Sequence, residues 1–89
     1  MIERQIEVTN RLGLHARAAA KLVHLAGTFR SKVELVLSGD VVDAKSILGI
    51  LMLGAAQGTE LILRCEGADE DAALEAVTAL FNDRFDEDS

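Results

Sequence analysis

Twice along the chain the spacing of apolar residues changes from every second position to every third or fourth, which demands a fold with both a sheet and packed helices. Residues 2–9 alternate, with Ile2, Ile6 and Val8 on one face and Glu3, Gln5, Glu7 and Thr9 on the other, so a half-buried first strand is expected. Past a break around Gly13, Ala16, Ala19, Ala20, Val23 and Ala26 recur at helical spacing with Leu22 alongside, and Gly27 is read as a left-handed cap. Lys32 to Leu37 turns Val33, Leu35 and Leu37 inward, and Ser38-Gly39-Asp40 before Val41 and Val42 predicts a hairpin. Ser46 then precedes a short apolar helix, Ile47 to Leu53, that stops at Gly54. Glu60 to Glu66 alternates again, with Leu61, Leu63 and Cys65 on one side. The last helix opens at Asp69 as N-cap, carries Glu70 and Asp71 at its positive end, and has Ala73, Leu74, Val77, Leu80 and Phe81 as its inner stripe.

The order β-α-β-β-α-β-α, with one apolar side per element, is satisfied when the helices stack on one face of an antiparallel sheet. This is an α+β arrangement whose other face, bearing Glu3, Gln5, Glu7, Glu34 and Glu60, stays wet. At 89 residues the chain supports one core, so residues 1–89 are read as a single domain. Residues 86–89 are expected to fray: Asp86-Glu87-Asp88 sits at the negative end of the helix dipole with nothing to pack.

Charge narrows the partners. Fifteen acidic residues against nine basic ones give a net charge of −6, and Trp and Tyr are missing, so neither a phosphate-tracking surface nor a stacking platform for nucleic acid can be built. The single Cys65 excludes an internal disulfide and a thiolate zinc cluster and fits a reducing compartment. No run approaches the ~18 residues of a membrane span. The charged, alternating Met1-Ile2-Glu3-Arg4-Gln5 is no signal peptide, so direct membrane insertion is not expected and residence in the cytoplasm is.

Two places depart from plain structural logic. Gly13-Leu14-His15-Ala16-Arg17 delivers an imidazole and a guanidinium to a helix start, where first-turn amides lack intrahelical partners and face anions. A phosphoryl group suits it, since neutral imidazole is nucleophilic and its bond to phosphorus is weak. On these five residues alone the plainer account prevails, a solvated histidine before a helix and a surface arginine. The second place is Ala44 to Gly54. If Ile50 and Leu53 face the core, then Ile47, Leu48 and Leu51 lie exposed as a docking patch; the equal alternative folds all of them over the sheet edge. Ser46 is by default a helix cap, although a phosphate there would set charge beside such a patch. His24 has no Cys or carboxylate spaced to form a metal site with it, and Cys65 faces the expected core. No nucleophile triad, Walker loop or paired carboxylates can be argued, so no cofactor, no metal and no autonomous catalysis are expected.

Taken together, Gly13-Leu14-His15-Ala16-Arg17, Lys45-Ser46 with Leu53-Gly54, Gln57-Gly58, and Glu66-Gly67-Ala68-Asp69-Glu70 before Ala73-Leu74 are in register over the whole chain. In this the sequence resembles the HPr family, the histidine-containing phosphocarriers of the bacterial phosphoenolpyruvate-dependent sugar phosphotransferase system. The resemblance implies an open-faced β-sandwich with sheet order 1-4-2-3 and three helices on one face. It implies that His15 takes phosphate on Nδ1 from phosphorylated enzyme I and passes it to enzyme IIA components of sugar transporters, with Arg17 steadying the group. It further implies that Ser46 is the target of an HPr kinase/phosphorylase, that Ala16, Ala20, Ile47, Leu48 and Leu51 form the partner surface, and that the carrier is a monomer. Three positions depart from the family pattern. Ala18 stands where a proline usually follows the arginine, Leu12 replaces a small polar residue, and nearby positive charge rests on Arg11, Arg17, Lys21 and Lys45 alone. Beside the sugar carrier stand two other readings: a regulatory relative in a nitrogen-related or catabolite-control relay, and a small α+β interaction module in which His15 is incidental.

Overall fold

A computed structural model describes residues 1–88. Strand β1 (Ile2–Glu7) leads through a loop to helix α1 (Ala16–Ala26), then to β2 (Lys32–Leu37), β3 (Asp40–Asp43), α2 (Ile47–Leu53), β4 (Glu60–Glu66) and α3 (Glu70–Asn82). The strands form one antiparallel sheet of order β1-β4-β2-β3, the order that the resemblance implied. Helices cover one face. The open face carries Arg64 on β4 in register with Glu3 and Glu34, whose carboxylates it meets at 2.7 and 3.7 Å.

Alternation along β2 and β4 buries Val33, Leu35, Leu61, Leu63 and Cys65, and these meet Leu22, Ile50, Leu74, Val77 and Phe81 from the helices in one apolar cluster. Full burial of each such side chain contributes roughly 1.5–3 kcal/mol. The hairpin closes through Ser38 and Gly39, both at positive φ, a two-residue turn whose twist matches its strands. Strand β1 is shorter than the alternation suggested. Val8 leaves the ladder to exchange backbone hydrogen bonds with the Gly58-Thr59 turn.

Four expectations need correction. Gly27 is not left-handed, having φ −66°; that device belongs to Gly54, with φ 63° and ψ 30°, which ends α2. In α1 the buried residues are Ala18, Ala19, Leu22 and Ala26, whereas Ala16 and Ala20 are exposed, a rotation of the stripe that an alanine-rich helix disguises because every face reads as apolar. Asp69 occupies the N-cap position of α3 without capping it. Its carboxylate accepts instead from the amides of Arg30 and Ser31 and from the Ser31 hydroxyl, which pins the start of β2 and holds the carboxyl at about 2.

The fourth correction concerns the tail, of which Ser89 lies outside the described residues. Arg84, Phe85 and Asp86 have φ of 54°, 56° and 62°, a left-handed turn that folds the chain back over the molecule. Such backbone costs about 1–2 kcal/mol per residue. Phe85 offsets much of this by full burial against Phe81, with ring centroids 4.8 Å apart in an edge contact. The Lys21 ammonium donates to the Phe85 carbonyl at 2.6 Å. Glu87 therefore does have something to pack, while Asp86 and Asp88 are exposed.

Candidate functional site

The loop between β1 and α1 is pressed against the chain that follows α2. Leu14 donates its amide to the Ala55 carbonyl at 2.9 Å, and Gly13, at φ 65°, passes so close that a Cβ there would lie 2.5 Å from the same oxygen. Only glycine satisfies both the backbone angle and the approach. Asn10, fully buried, donates its side-chain amide to the Gly13 carbonyl at 2.7 Å, and Leu14 is buried beneath the loop. These contacts fix the residue that comes next, His15.

His15 occupies the N-cap position of α1 in extended backbone, and its carbonyl accepts the first helical bond from Ala19 at 2.8 Å. Its side chain caps nothing. The amides of Ala16, Arg17 and Ala18 consequently have no hydrogen-bond partner among the described residues. Ala18, fully buried, carries an amide where a proline would have none. The imidazole retains 26% of its exposure. Its Nε2 lies 2.5 Å from Oε2 of Glu87, and its Nδ1 bonds to nothing among the described residues. Oε1 of Glu87 accepts from Asn10 at 3.0 Å, and these two contacts, Asn10 first, hold the Glu87 carboxyl below the usual carboxylate range. Arg17 is exposed one residue into the helix, without an ion pair among the described residues. The site is thus an open helix start with an imidazole at its lip.

Of the four basic residues expected around it, Lys21 is committed to the Phe85 carbonyl and Lys45 to the Phe29 carbonyl at 2.9 Å, leaving Arg11 and Arg17 exposed. Ser46 sits at the N-cap position of α2 and does cap it, accepting from the Gly49 amide at 3.2 Å. On α2, Ile50 is fully buried while Ile47, Leu48 and Leu51 are exposed, so these three do not fold over the sheet edge into the core. Met52 on α2, which was not singled out in the sequence, is 79% exposed, and Leu12, noted only as a departure from the family pattern, is 62% exposed. The groove between β3 and the end of α2, lined by Asp40, Val41, Val42, Met52 and Leu53, contains neither His15 nor Arg17. Glu87 was missed as well. The available signal was Phe85, which extends the Val77-Phe81 stripe by one more helical turn and so marks a tail that packs.

Comparisons with known proteins converge on one group. The family model described as PTS HPr component phosphorylation site matches residues 2–83. The phosphocarrier protein HPr of Xylella fastidiosa is 48% identical over 89 residues, covering 100% of both chains. The phosphocarrier protein NPr of Shewanella violacea is 46% identical over 88 residues, 99% of this chain and 97% of that one. Among solved structures, HPr-C-His from Thermoanaerobacter tengcongensis superposes with a TM-score of 0.96 at 42% identity, each chain covered in full.

Proposed function

The chain belongs to the HPr family of phosphocarriers, carriers rather than catalysts, and on that footing we propose that it relays phosphate through Nδ1 of His15. The observation that supports this is that, among the described residues, Nδ1 and the amides of Ala16, Arg17 and Ala18 at the start of α1 have no partner. The imidazole lone pair forms the bond to phosphorus. The amides and the Arg17 guanidinium spread the negative charge of the PO₃ group without enclosing it, so a second partner reaches it from the open side. A protein that receives and hands on the same group gains nothing from a deep pocket, because donor and acceptor must approach phosphorus in line.

In this reading phosphorylated enzyme I is the donor and enzyme IIA components of sugar transporters are acceptors. Ile47, Leu48, Leu51, Ala16 and Ala20 form the surface on which both dock, and Met52 and Leu12 enlarge it. With few free cations nearby, docking leans on apolar contact and depends weakly on salt. Ser46 is the regulatory site: an HPr kinase places phosphate on the hydroxyl that now caps α2, beside the same patch. The test is incubation with phosphoenolpyruvate and enzyme I. Acid-labile, base-stable label is expected on the wild type and none on His15→Ala; label persisting on that variant removes the assignment.

The 46% identical NPr relative favours a second reading, a nitrogen-related or catabolite-control relay with little sugar flux. Transfer from an enzyme I of a regulatory relay at a higher rate than from the sugar system's enzyme I would select it.

A further inference from the structure

We propose that Glu87 is a positioning residue that fixes the His15 imidazole with its proton on Nε2, leaving the lone pair on Nδ1 to take the phosphoryl group; this deepens the carrier reading above and rests on it. Residue 87 lies beyond the segment that the family model matches, which ends at residue 83. Its placement is specific at every step. The left-handed turn at Arg84, Phe85 and Asp86 reverses the chain, buried Phe85 anchors it on Phe81, and the amide of Glu87 donates to the Arg84 carbonyl at 3.0 Å. Both carboxylate oxygens are then engaged, Oε1 by Asn10 and Oε2 by Nε2 of His15, with the Glu87 side chain only 13% exposed. Asn10 is itself held by the Gly13 carbonyl, so one buried amide joins the active loop to the tail.

An ionised carboxylate only accepts hydrogen bonds, so the ring nitrogen facing it must donate. The hydrogen bond made by one imidazole nitrogen decides the state of the other. Phosphorylation then proceeds without moving the Nε2 proton. The Nδ1 lone pair bonds to phosphorus as the donor's own bond to phosphorus breaks and its electron pair returns to the donor. The ring becomes cationic, with the phosphoryl on Nδ1 and the proton still on Nε2, and the carboxylate balances that charge. On the onward step the Nδ1–phosphorus bond breaks, its pair returns to Nδ1, and a neutral imidazole departs. Were Nε2 bare, the leaving group would be an imidazolate anion, a far poorer one. Glu87 thus serves receipt and release alike.

The experiment compares the full-length wild type with Glu87→Ala and Glu87→Gln, the latter keeping a neutral acceptor. Above the ordinary imidazole titration range, the nitrogen NMR spectrum of wild-type His15 is expected to show a protonated Nε2 and a bare Nδ1, with the Nε2 proton protected from exchange. Glu87→Ala loses that protection and its two nitrogens drift toward averaged positions, while phosphate acceptance from enzyme I slows roughly tenfold. Glu87→Gln restores part of both. An unchanged nitrogen spectrum or an unchanged transfer rate in Glu87→Ala overturns the proposal. Should the wild type itself take no phosphate, the carrier reading fails, and the nitrogen spectrum alone decides whether Glu87 orders the ring.

Discussion

Two helices of this protein begin in opposite ways. At α2, Ser46 turns its hydroxyl into the first turn and satisfies the Gly49 amide; at α1, His15 holds the same position and leaves its first-turn amides open. The structural reason lies outside both helices. Gly13 and Leu14 are clamped onto Ala55, and Glu87 draws the imidazole toward the tail, so His15 is held by what precedes it and by what packs over it rather than by its helix. An unsatisfied start is tolerable where water or an anion supplies the missing acceptors, which suits it to the phosphoryl group proposed for it.

The contrast breaks most severely at the clamp. Gly13→Val puts a branched side chain at positive φ and into the Ala55 carbonyl, and a loss of about 2–4 kcal/mol is expected in urea unfolding. Gly54→Ala sharpens the point. Its φ is nearly the same, 63°, yet a Cβ there would meet nothing closer than 4.0 Å, so only about 1 kcal/mol should be lost in the same measurement. Next in size, Ser46→Ala removes a real cap and should cost about 1 kcal/mol, whereas Ser46→Asp should keep thermal stability while weakening association with enzyme I in a binding titration. At the other helix start the sign reverses. His15→Asn supplies the absent cap and is expected to raise stability by a few tenths of a kcal/mol in thermal melts while ending phosphate transfer.

The smallest effect is invisible at neutral pH and belongs to α3, where the N-cap residue serves another segment. Asp69 is held at about 2 by Ser31 and Arg30, below its ordinary 3.8, so its contribution is complete above about pH 4 and disappears as the pH falls through about 2. Glu70, Glu75 and Glu87 are also depressed and lose their contributions in the acid range as well. Melting temperature should decline over that window, and Asp69→Asn should flatten the decline.

Much of this was legible in the chain. The switches of apolar period located β1, α1, β2, β4 and α3, because burial on one side leaves a repeat of two or of 3.6 that short-range pattern records, and turn and cap residues located β3 and α2. The motif around His15 and the cap at Ser46 were legible for the same local reason. The face of α1 was not, since alanine on all sides carries no contrast. Nor was the use of Asp69, whose partners Arg30 and Ser31 lie some forty residues earlier, or the reach of Glu87, which depends on where Phe85 finds a cavity.

What the residues determined by themselves was periodicity, glycine placement and the chemistry present at a helix start, all properties of neighbours a few positions apart. What the tertiary structure alone decided was which donors remain unpaired among the described residues and which nitrogen of His15 meets a carboxylate. Those depend on groups distant in sequence meeting at 2.5 to 3 Å, and hydrogen bonding at that range is set by packing of the whole core, not by the order of residues along the chain.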